Sequence, residues 1–179
     1  LLAKTKPALV ALANEFGANL PTKTYVALTR GMPAEPEFTV DAKIGPQTRQ
    51  FGLMRIDTQG GKKAVTQFKV IEQFRGYTLL HCQPLTDRTH QIRVHLRSVG
   101  LHTVGDVDYA GGPLSLSQIK SSYTPKWSKP ERPLMDRVAL HAERLEIKHP
   151  ATGEPIAITA EWPKDLRVTV KYLRKFCGL

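Results

Sequence analysis

Basic and amide side chains crowd one short stretch of the sequence, where an apolar segment changes into a helical pattern. From Leu85 to Leu96 it reads Leu-Thr-Asp-Arg-Thr-His-Gln-Ile-Arg-Val-His-Leu. Arginine is always charged, and its forked guanidinium matches carboxylate and phosphate oxygens. A strand that leads into a helix also presents free backbone N–H groups and the positive end of the helix dipole. These features favour an anion or nucleic-acid site; a charged, solvent-exposed helix face is the alternative.

The whole chain is strongly basic. It has 179 residues and a formal net charge of +10, from 26 Lys plus Arg against 16 Asp plus Glu. Such a surplus attracts polyanions, and nucleic acid is the commonest one inside a cell. The length fits one domain, and no apolar run approaches the roughly 20 residues that cross a bilayer. Cys82 and Cys177 form no disulfide or zinc pattern, so we expect a reduced, cytoplasmic protein without a membrane segment.

The elements that position the Leu85–Leu96 stretch are predicted from hydrophobic periodicity and from Gly and Pro clusters. Asp87 is expected to cap the second of three helices. Strands precede and separate the helices without regular alternation, which favours an α+β fold with a mixed, mainly antiparallel β-sheet and flanking helices. The predicted helices span 6–16, 89–99 and 164–176, and the predicted strands span 24–28, 38–44, 64–71, 77–85, 137–147 and 156–161.

Residues 115–133 differ in composition from the rest of the chain, because Ser, Lys and Pro predominate. This composition predicts an exposed loop insertion. Trp127 within it either stacks on an unpaired base or packs the loop against the domain.

A metal site was considered at His90 and His95 with Asp106 and Asp108. A separation of five residues on a helix turns the two imidazoles about 140° apart at 3.6 residues per turn. We therefore expect no bound metal. His90 is then expected to line an RNA-facing pocket, and His95 to pack or hydrogen-bond locally.

The Thr86–Leu96 segment resembles the Thr-Gly-Arg-Thr-His-Gln-Ile-Arg-Val-His-Leu motif of the RluA branch of RNA pseudouridine synthases, and it differs only at Asp87. The resemblance covers the chain apart from 115–133, so residues 1–179 are expected to form a single pseudouridine synthase catalytic domain. Further matching fragments follow in the order of that family: Ala3-Lys4-Thr5, Lys23-Thr24-Tyr25-Val26-Ala27, Ala64-Val65-Thr66, Gly105-Asp106, Tyr109-Ala110-Gly111-Gly112 and Leu140-His141-Ala142.

The resemblance implies isomerisation of uridine in ribosomal or transfer RNA, without a cofactor. The N-glycosidic bond is cut, the uracil turns, and its C5 is joined to the ribose. In the family an Asp attacks the sugar or removes its proton. By motif, Tyr25 corresponds to the tyrosine that stacks on the base and Arg93 to the arginine that pairs with this Asp, and Leu96 is expected to wall the pocket.

Further residues of the matched motifs are expected to contact RNA. Some would receive the flipped nucleotide, and others would meet its phosphates. The residues expected to bind RNA are Lys23, Arg88, Thr89, His90, Gln91 and Arg97.

Two departures from the family pattern bear on activity. The family's catalytic Asp lies in a His-Arg-Leu-Asp segment, ahead of a Ser-Gly-Leu-Leu run, and Leu1-Leu2 resembles the end of that run. We therefore expect the acid upstream of Leu1 in a longer parent protein, and no activity from residues 1–179 alone. The second departure is Asp87, which replaces a glycine and is expected to weaken phosphate affinity by repulsion.

Other functions remain open at this point. The main alternative is an inactive RNA-binding relative that uses the same cleft, and a remoter one is a basic structural protein of an RNA–protein particle. The chain is expected to be a monomer, because its patterning shows no heptads.

Overall fold

The fold comes from a computed structural model, which describes residues 1–48, 50–124, 128 and 130–179. The helices are α1 (Lys6–Gly17), α2 (Gln91–Ser98) and α3 (Lys164–Phe176). The strands are β1 (Thr22–Arg30), β2 (Glu37–Asp41), β3 (Ile44–Pro46), β4 (Met54–Ile56), β5 (Val65–Phe74), β6 (Tyr77–Pro84), β7 (His102–Thr103), β8 (Leu140–Lys148) and β9 (Pro155–Thr159). None of the helices in the described part of the chain has the length and apolar character needed to span a membrane.

The main sheet has the strand order β2-β5-β6-β1-β8-β9, and β7 pairs with β1. Strands β3 and β4 form a second, two-stranded sheet. Every ladder between the described strands is antiparallel. The prediction of an α+β fold with a mainly antiparallel sheet and three helices is therefore confirmed.

The two faces of the sheet carry different helices, because side chains alternate along the central strand β1. Val26 and Leu28 belong to the hydrophobic cluster that also contains Leu166, Val170 and Leu173 of α3. Ala27 belongs to the cluster that contains α2 residues, with Tyr25 packed against it. Helices α2 and α3 therefore cover opposite faces, and the Leu85–Leu96 stretch lies on the face away from α3.

The turn from β6 into α2 differs from the prediction. Helix α2 begins at Gln91, and its N-cap is His90, which has a left-handed backbone with φ 55° and ψ 19°. Asp87 does not cap the helix, so that expectation was wrong; its carboxylate pairs with Lys23 instead.

The amide of Gln91 holds this turn to strand β5. Its Oε1 accepts from the Thr86 hydroxyl at 2.8 Å and from the Arg88 N–H at 3.1 Å. Its Nε2 donates to the Val65 carbonyl and to Thr66 Oγ1, both at 2.9 Å. Because Gln91 is buried and its bonds reach residues 25 and 26 positions away, they fix where α2 starts.

A buried polar chain continues from Gln91 to His95. Thr66 Oγ1 lies 2.9 Å from His95 Nδ1, and His95 Nε2 lies 3.1 Å from the Ala42 carbonyl. The carbonyl can only accept, so His95 Nε2 carries the proton and Nδ1 accepts from the Thr66 hydroxyl. His95 has no exposed surface, which agrees with the local structural role expected for it.

The predicted loop at 115–133 is partly integrated into the domain. Residues Leu116–Gln118 form a 3₁₀ helix that Ser115 caps, and Ile119 is buried in the cluster beneath α3. The Ser117 N–H donates to the Glu131 carboxylate at 2.9 Å, which ties two parts of the stretch together. No α-helix or strand lies among its described residues. Trp127 lies outside the described residues.

Candidate active site

Two adjoining cavities open at the start of α2, and together they form what we call the cleft. The small cavity has a volume of about 220 Å³ and the large cavity about 400 Å³. Tyr25 and Asp87 line both, so they stand where the two cavities meet. The small cavity is lined by Tyr25, Pro84, Asp87, Arg88, His90, Gln91, Ile92, Arg93 and Leu140.

Tyr25 is half-buried on β1, opposite Cys82 of β6 and Ala142 of β8. The pairing with β8 shifts register between Thr24 and Tyr25. Burial raises the pKa of the Tyr25 phenol, and the nearby Asp87 charge adds to the effect. The side chain therefore stays protonated at neutral pH and offers a flat apolar ring with a hydroxyl at its end.

Arg93 lies at the wall of the small cavity and is bound from behind by two carboxylates. Its Nε donates to Asp106 Oδ2 at 2.7 Å and its Nη2 to Asp106 Oδ1 at 2.6 Å. Nη2 also reaches Asp108 Oδ2 at 3.0 Å, and the guanidinium lies 4.6 Å from the centre of the Tyr109 ring. The hydrogen bond to Asp106 raises the pKa of Arg93. Nη1 has no hydrogen-bond partner among the described residues, so this edge is available to a ligand.

Asp106 is held by a tightly packed loop. Its side chain is 1% exposed, and its carbonyl accepts from the Gly111 N–H. A Cβ on Gly111 would lie 1.6 Å from the Thr103 carbonyl oxygen, and a Cβ on Gly105 1.9 Å from that of Arg137. Glycine is therefore required at both positions, since any larger residue would displace the backbone that carries Asp106.

Lys23 and Asp87 form an ion pair across the cleft. The Lys23 Nζ lies 2.6 Å from Asp87 Oδ2, and the lysine side chain is 12% exposed against 69% for the aspartate. The ammonium also lies 5.3 Å from the centre of the Phe16 ring. Asp87 therefore neutralises a cation that would otherwise face the large cavity.

Of the next three residues expected at the site, two line the small cavity and one does not. Arg88 lines the small cavity, and its Nε donates to the Lys63 carbonyl at 3.1 Å. Gln91 lines it too, but its amide forms hydrogen bonds to β5 and within the turn. These bonds give Gln91 a structural role in place of the expected contact with the nucleotide. Thr89 is exposed and does not line the cleft.

Two expected residues lie away from the cavity surface. Leu96 is fully buried in the cluster with Ala27 and Leu80, against which Tyr25 packs, and it lines neither cavity of the cleft. Arg97 is exposed and lines a separate cavity with Arg55 and Tyr109, so the structure does not bring it to the cleft.

The contact between Asp106 and Arg93 was not predicted. In the sequence Asp106 stood out only in a matched fragment and as a rejected metal ligand, because it lies 13 residues from Arg93 and no local pattern links the two. Asp106 accepts hydrogen bonds from Arg93, and the Tyr109 hydroxyl lies 2.9 Å from His90 Nδ1, so this segment holds two residues that line the small cavity.

The acids of the described cleft are already paired. Asp87 binds Lys23, and Glu143, which lines the large cavity, binds His81 and Trp162. No group of three or more His, Cys, Asp or Glu side chains in the described ranges could hold a metal ion. The geometry thus offers a stacking ring, an arginine with a free edge and further cations, which suits an anionic ligand with a planar base.

Comparisons with known proteins agree with this geometry. Residues 1–98 match the family model described as RNA pseudouridylate synthase. Ribosomal large subunit pseudouridine synthase D of Xanthomonas campestris is 36% identical over 175 residues, which are 98% of this chain and 51% of that protein. Synthase C of Salmonella typhi is 34% identical over 176 residues, 97% of this chain and 52% of that protein.

Solved structures give the same result. Human RNA pseudouridylate synthase domain containing 1 superposes with a TM-score of 0.67 at 25% identity, covering 96% of this chain and 73% of that one. The chain spans about half the length of the curated relatives it matches. The matched family model, these relatives and the Thr86–Leu96 motif together establish that the chain belongs to the RNA pseudouridylate synthase family, in its RluA branch.

Proposed function

We propose that the longer protein to which this domain belongs isomerises uridine to pseudouridine in structured RNA. The observation that carries the proposal is that Tyr25, Arg88 and Arg93, from two separate parts of the chain, line one cavity. The names of the relatives favour large-subunit ribosomal RNA over transfer RNA as the substrate. The proposed setting is the cytoplasm, with the protein acting as a monomer and without a cofactor.

Tyr25 supplies the surface that a flipped base needs. A nucleotide turned out of its stack loses base–base contacts, and an aromatic ring replaces them. Tyr25 packs against the core cluster that contains Leu96, so the ring is supported from beneath. Its protonated hydroxyl has no hydrogen-bond partner in the described part of the chain, so it can make a polar contact with the base or ribose.

Arg93 supplies positive charge at the reacting centre. In the proposed reaction the bond between N1 and C1′ breaks, the uracil turns, and a bond between C5 and C1′ forms, while C5 loses a proton and N1 gains one. The free Nη1 edge of Arg93 is suited to pair with the acid that attacks the sugar or removes its proton. Such a pair lowers the pKa of a carboxyl group and keeps it ionised at neutral pH.

We place the acid in residues joined ahead of Leu1. Leu1 lines the large cavity together with Tyr25, so a segment attached to the Leu1 amine lies next to the cleft. The described acids of the cleft are bound to Lys23, His81 and Trp162, which makes them poor substitutes. Residues 1–179 alone are therefore proposed to bind RNA without converting uridine.

The alternative is an RNA-binding relative that lacks catalysis. The pairing of the described cleft acids favours this alternative, because Asp87 binds Lys23 and Glu143 binds His81 and Trp162, which leaves neither free for catalysis.

The test compares residues 1–179 with the same chain extended upstream by its natural sequence. Ribosomal RNA lacking modifications is incubated with each, digested to nucleosides and separated by chromatography. The extended chain is expected to form pseudouridine and residues 1–179 none. Binding without turnover by the extended chain would favour the inactive relative, and turnover by residues 1–179 would refute the placement of the acid.

A further inference from the structure

The side chain of His90 occupies an unusual position at the rim of the small cavity. Its backbone is left-handed with φ 55°, a conformation that few residues other than Gly, Asn, Asp and His adopt. The imidazole lines the cavity, and its Nδ1 lies 2.9 Å from the hydroxyl oxygen of Tyr109. The backbone therefore turns this ring toward the cavity while Tyr109 holds one of its nitrogens.

The hydrogen bonds of Tyr109 determine which ring nitrogen of His90 carries a proton. The Tyr109 hydroxyl accepts from the Met54 N–H at 2.9 Å. It has one proton of its own to donate, and His90 Nδ1 is the acceptor within reach among the described residues. A neutral imidazole that accepts at Nδ1 carries its proton at Nε2.

The surroundings keep His90 neutral. Burial lowers the pKa of His90 and the Arg93 charge lowers it further, although Asp106 and Asp108 act in the opposite direction. Both carboxylates are already bound to Arg93, which limits how far their charges raise the pKa of His90. His90 Nε2 has no hydrogen-bond partner among the described residues, so its N–H is left for a ligand in the cavity.

We infer that His90 is a specificity-determining residue. Its Nε2–H would donate to the oxygen at position 4 of the flipped base, and this contact would distinguish uracil from cytosine. Uracil carries an accepting oxygen at position 4, whereas cytosine carries an amino donor there. A fixed donor binds the first and leaves two donors facing each other with the second, which costs free energy because neither finds a partner. The inference rests on the proposed function, since it requires the small cavity to receive the base.

Three variants of residues 1–179 isolate this role. His90→Gly removes the imidazole, and glycine adopts positive φ readily, so the turn is not strained. His90→Asn keeps a residue that tolerates the left-handed conformation and returns an amide donor. Tyr109→Phe keeps the ring beside Arg93 but removes the hydroxyl that sets the proton position in His90.

The probes are two short oligoadenylates, one with a single central uridine and one with a single central cytidine. The unmodified chain is expected to bind the uridine oligomer about tenfold more tightly, the worth of roughly one hydrogen bond. His90→Gly should lose this preference and bind the two oligomers with equal affinity, because it loses the hydrogen bond to uracil and the repulsion of the cytosine amino group together. His90→Asn should recover part of the preference, and Tyr109→Phe should reduce it.

The outcomes separate this inference from the proposed function. Equal preference in the unmodified chain and His90→Gly, with RNA bound by both, overturns the inference and leaves the proposed function standing. An unmodified chain that binds both oligomers alike overturns it as well. Failure of the unmodified chain to bind either oligomer contradicts the RNA function itself.

Discussion

Arg93, which lines the small cavity, forms a bidentate ion pair with the buried Asp106, with its Nε and Nη2 2.7 and 2.6 Å from the two carboxylate oxygens. The pair fixes the plane of the guanidinium, because two parallel hydrogen bonds allow it little rotation. It also leaves Nη1 as the edge that can act on a ligand. The orientation of Arg93 is therefore set by this protein before any RNA binds.

Breaking this pair is expected to destabilise the fold. Asp106→Asn leaves the Arg93 charge without its buried partner, so the free energy of unfolding should fall by about 2–4 kcal/mol. Asp108→Asn is the matched control, because Asp108 is 43% exposed and its loss should cost less than about 1 kcal/mol. Urea denaturation measures both. Equal stability of the two variants would contradict the positioning role of Asp106.

The ion pair of Asp87 with Lys23 predicts a gain of RNA affinity when the carboxylate is removed. Asp87→Gly restores the residue type of the family motif and frees the lysine ammonium to meet phosphate. Affinity at low salt should rise, and the slope of log affinity against log salt should steepen by about 1. Glu161→Gln changes the net charge equally on a 93% exposed side chain and serves as the control. An equal effect of both variants would mean that only net charge matters.

The hairpin of β3 and β4 and the loop that follows it predict a phosphate-binding surface. Residues 43–63 contain five Lys or Arg and one Asp. Lys62 and Lys63 are exposed, and the Lys63 carbonyl is bound by Arg88 of the small cavity, so the surface begins at the cleft.

Neutralising Lys62 and Lys63 should weaken binding of all RNA sequences alike and reduce the salt slope by about 1 for each lysine. The control replaces Lys164 and Lys171 with Gln on α3, which covers the opposite face of the sheet. Filter binding over a range of salt concentrations measures the affinities of the unmodified chain and of both double variants. A larger effect from the α3 pair would move the RNA surface to that face.

His95 predicts that stability falls with acidification. Burial lowers the pKa of His95 below the ordinary value of 6.5 that it takes in the unfolded chain. The unfolded state therefore binds more protons below pH 6.5, so the stabilisation is complete above that pH and is lost as the pH decreases. The slope reaches at most about 1.4 kcal/mol per pH unit for one group.

Thermal unfolding between neutral pH and pH 5 measures this slope. His95→Gln should flatten it, since glutamine does not titrate, whereas His141→Gln on β8 should leave it unchanged. A slope in His95→Gln as steep as in the unmodified chain would assign the effect to other groups, such as His90.

Hydrophobic periodicity in the sequence was sufficient to predict helix α3. Leu166, Val170 and Leu173 recur at helical spacing, all three are buried, and the observed helix has the predicted bounds 164–176. Strands β1 and β5 were also placed, although each proved longer than predicted. These elements were predictable because burial of one face decides them locally.

Elements that depend on distant contacts were not predictable. The start of α2 depends on hydrogen bonds from Gln91 to Val65 and Thr66, and no local pattern shows these. The predicted strand 38–44 is divided between β2 and β3, and β4 is only three residues long, too short for a periodicity signal.

The candidate site was only partly predictable for the same reason. The motif brought Tyr25 and Arg93 into one hypothesis, and both line the small cavity. It could not show that Asp106 occupies two donors of Arg93, or that Leu96 lies beneath the cavity. Its role assignments for individual side chains stay predictions until they are measured.

The most direct test of the proposed function is to determine where a uridine of bound RNA lies on the protein. Ribosomal RNA fragments carrying 5-bromouridine are cross-linked to residues 1–179 by ultraviolet light, and the attached peptide is identified by mass spectrometry. If Tyr25 stacks on the flipped base, a cross-link forms at Tyr25 and disappears in Tyr25→Ala. Cross-links confined to α3, with none in the peptide that contains Tyr25, would contradict it.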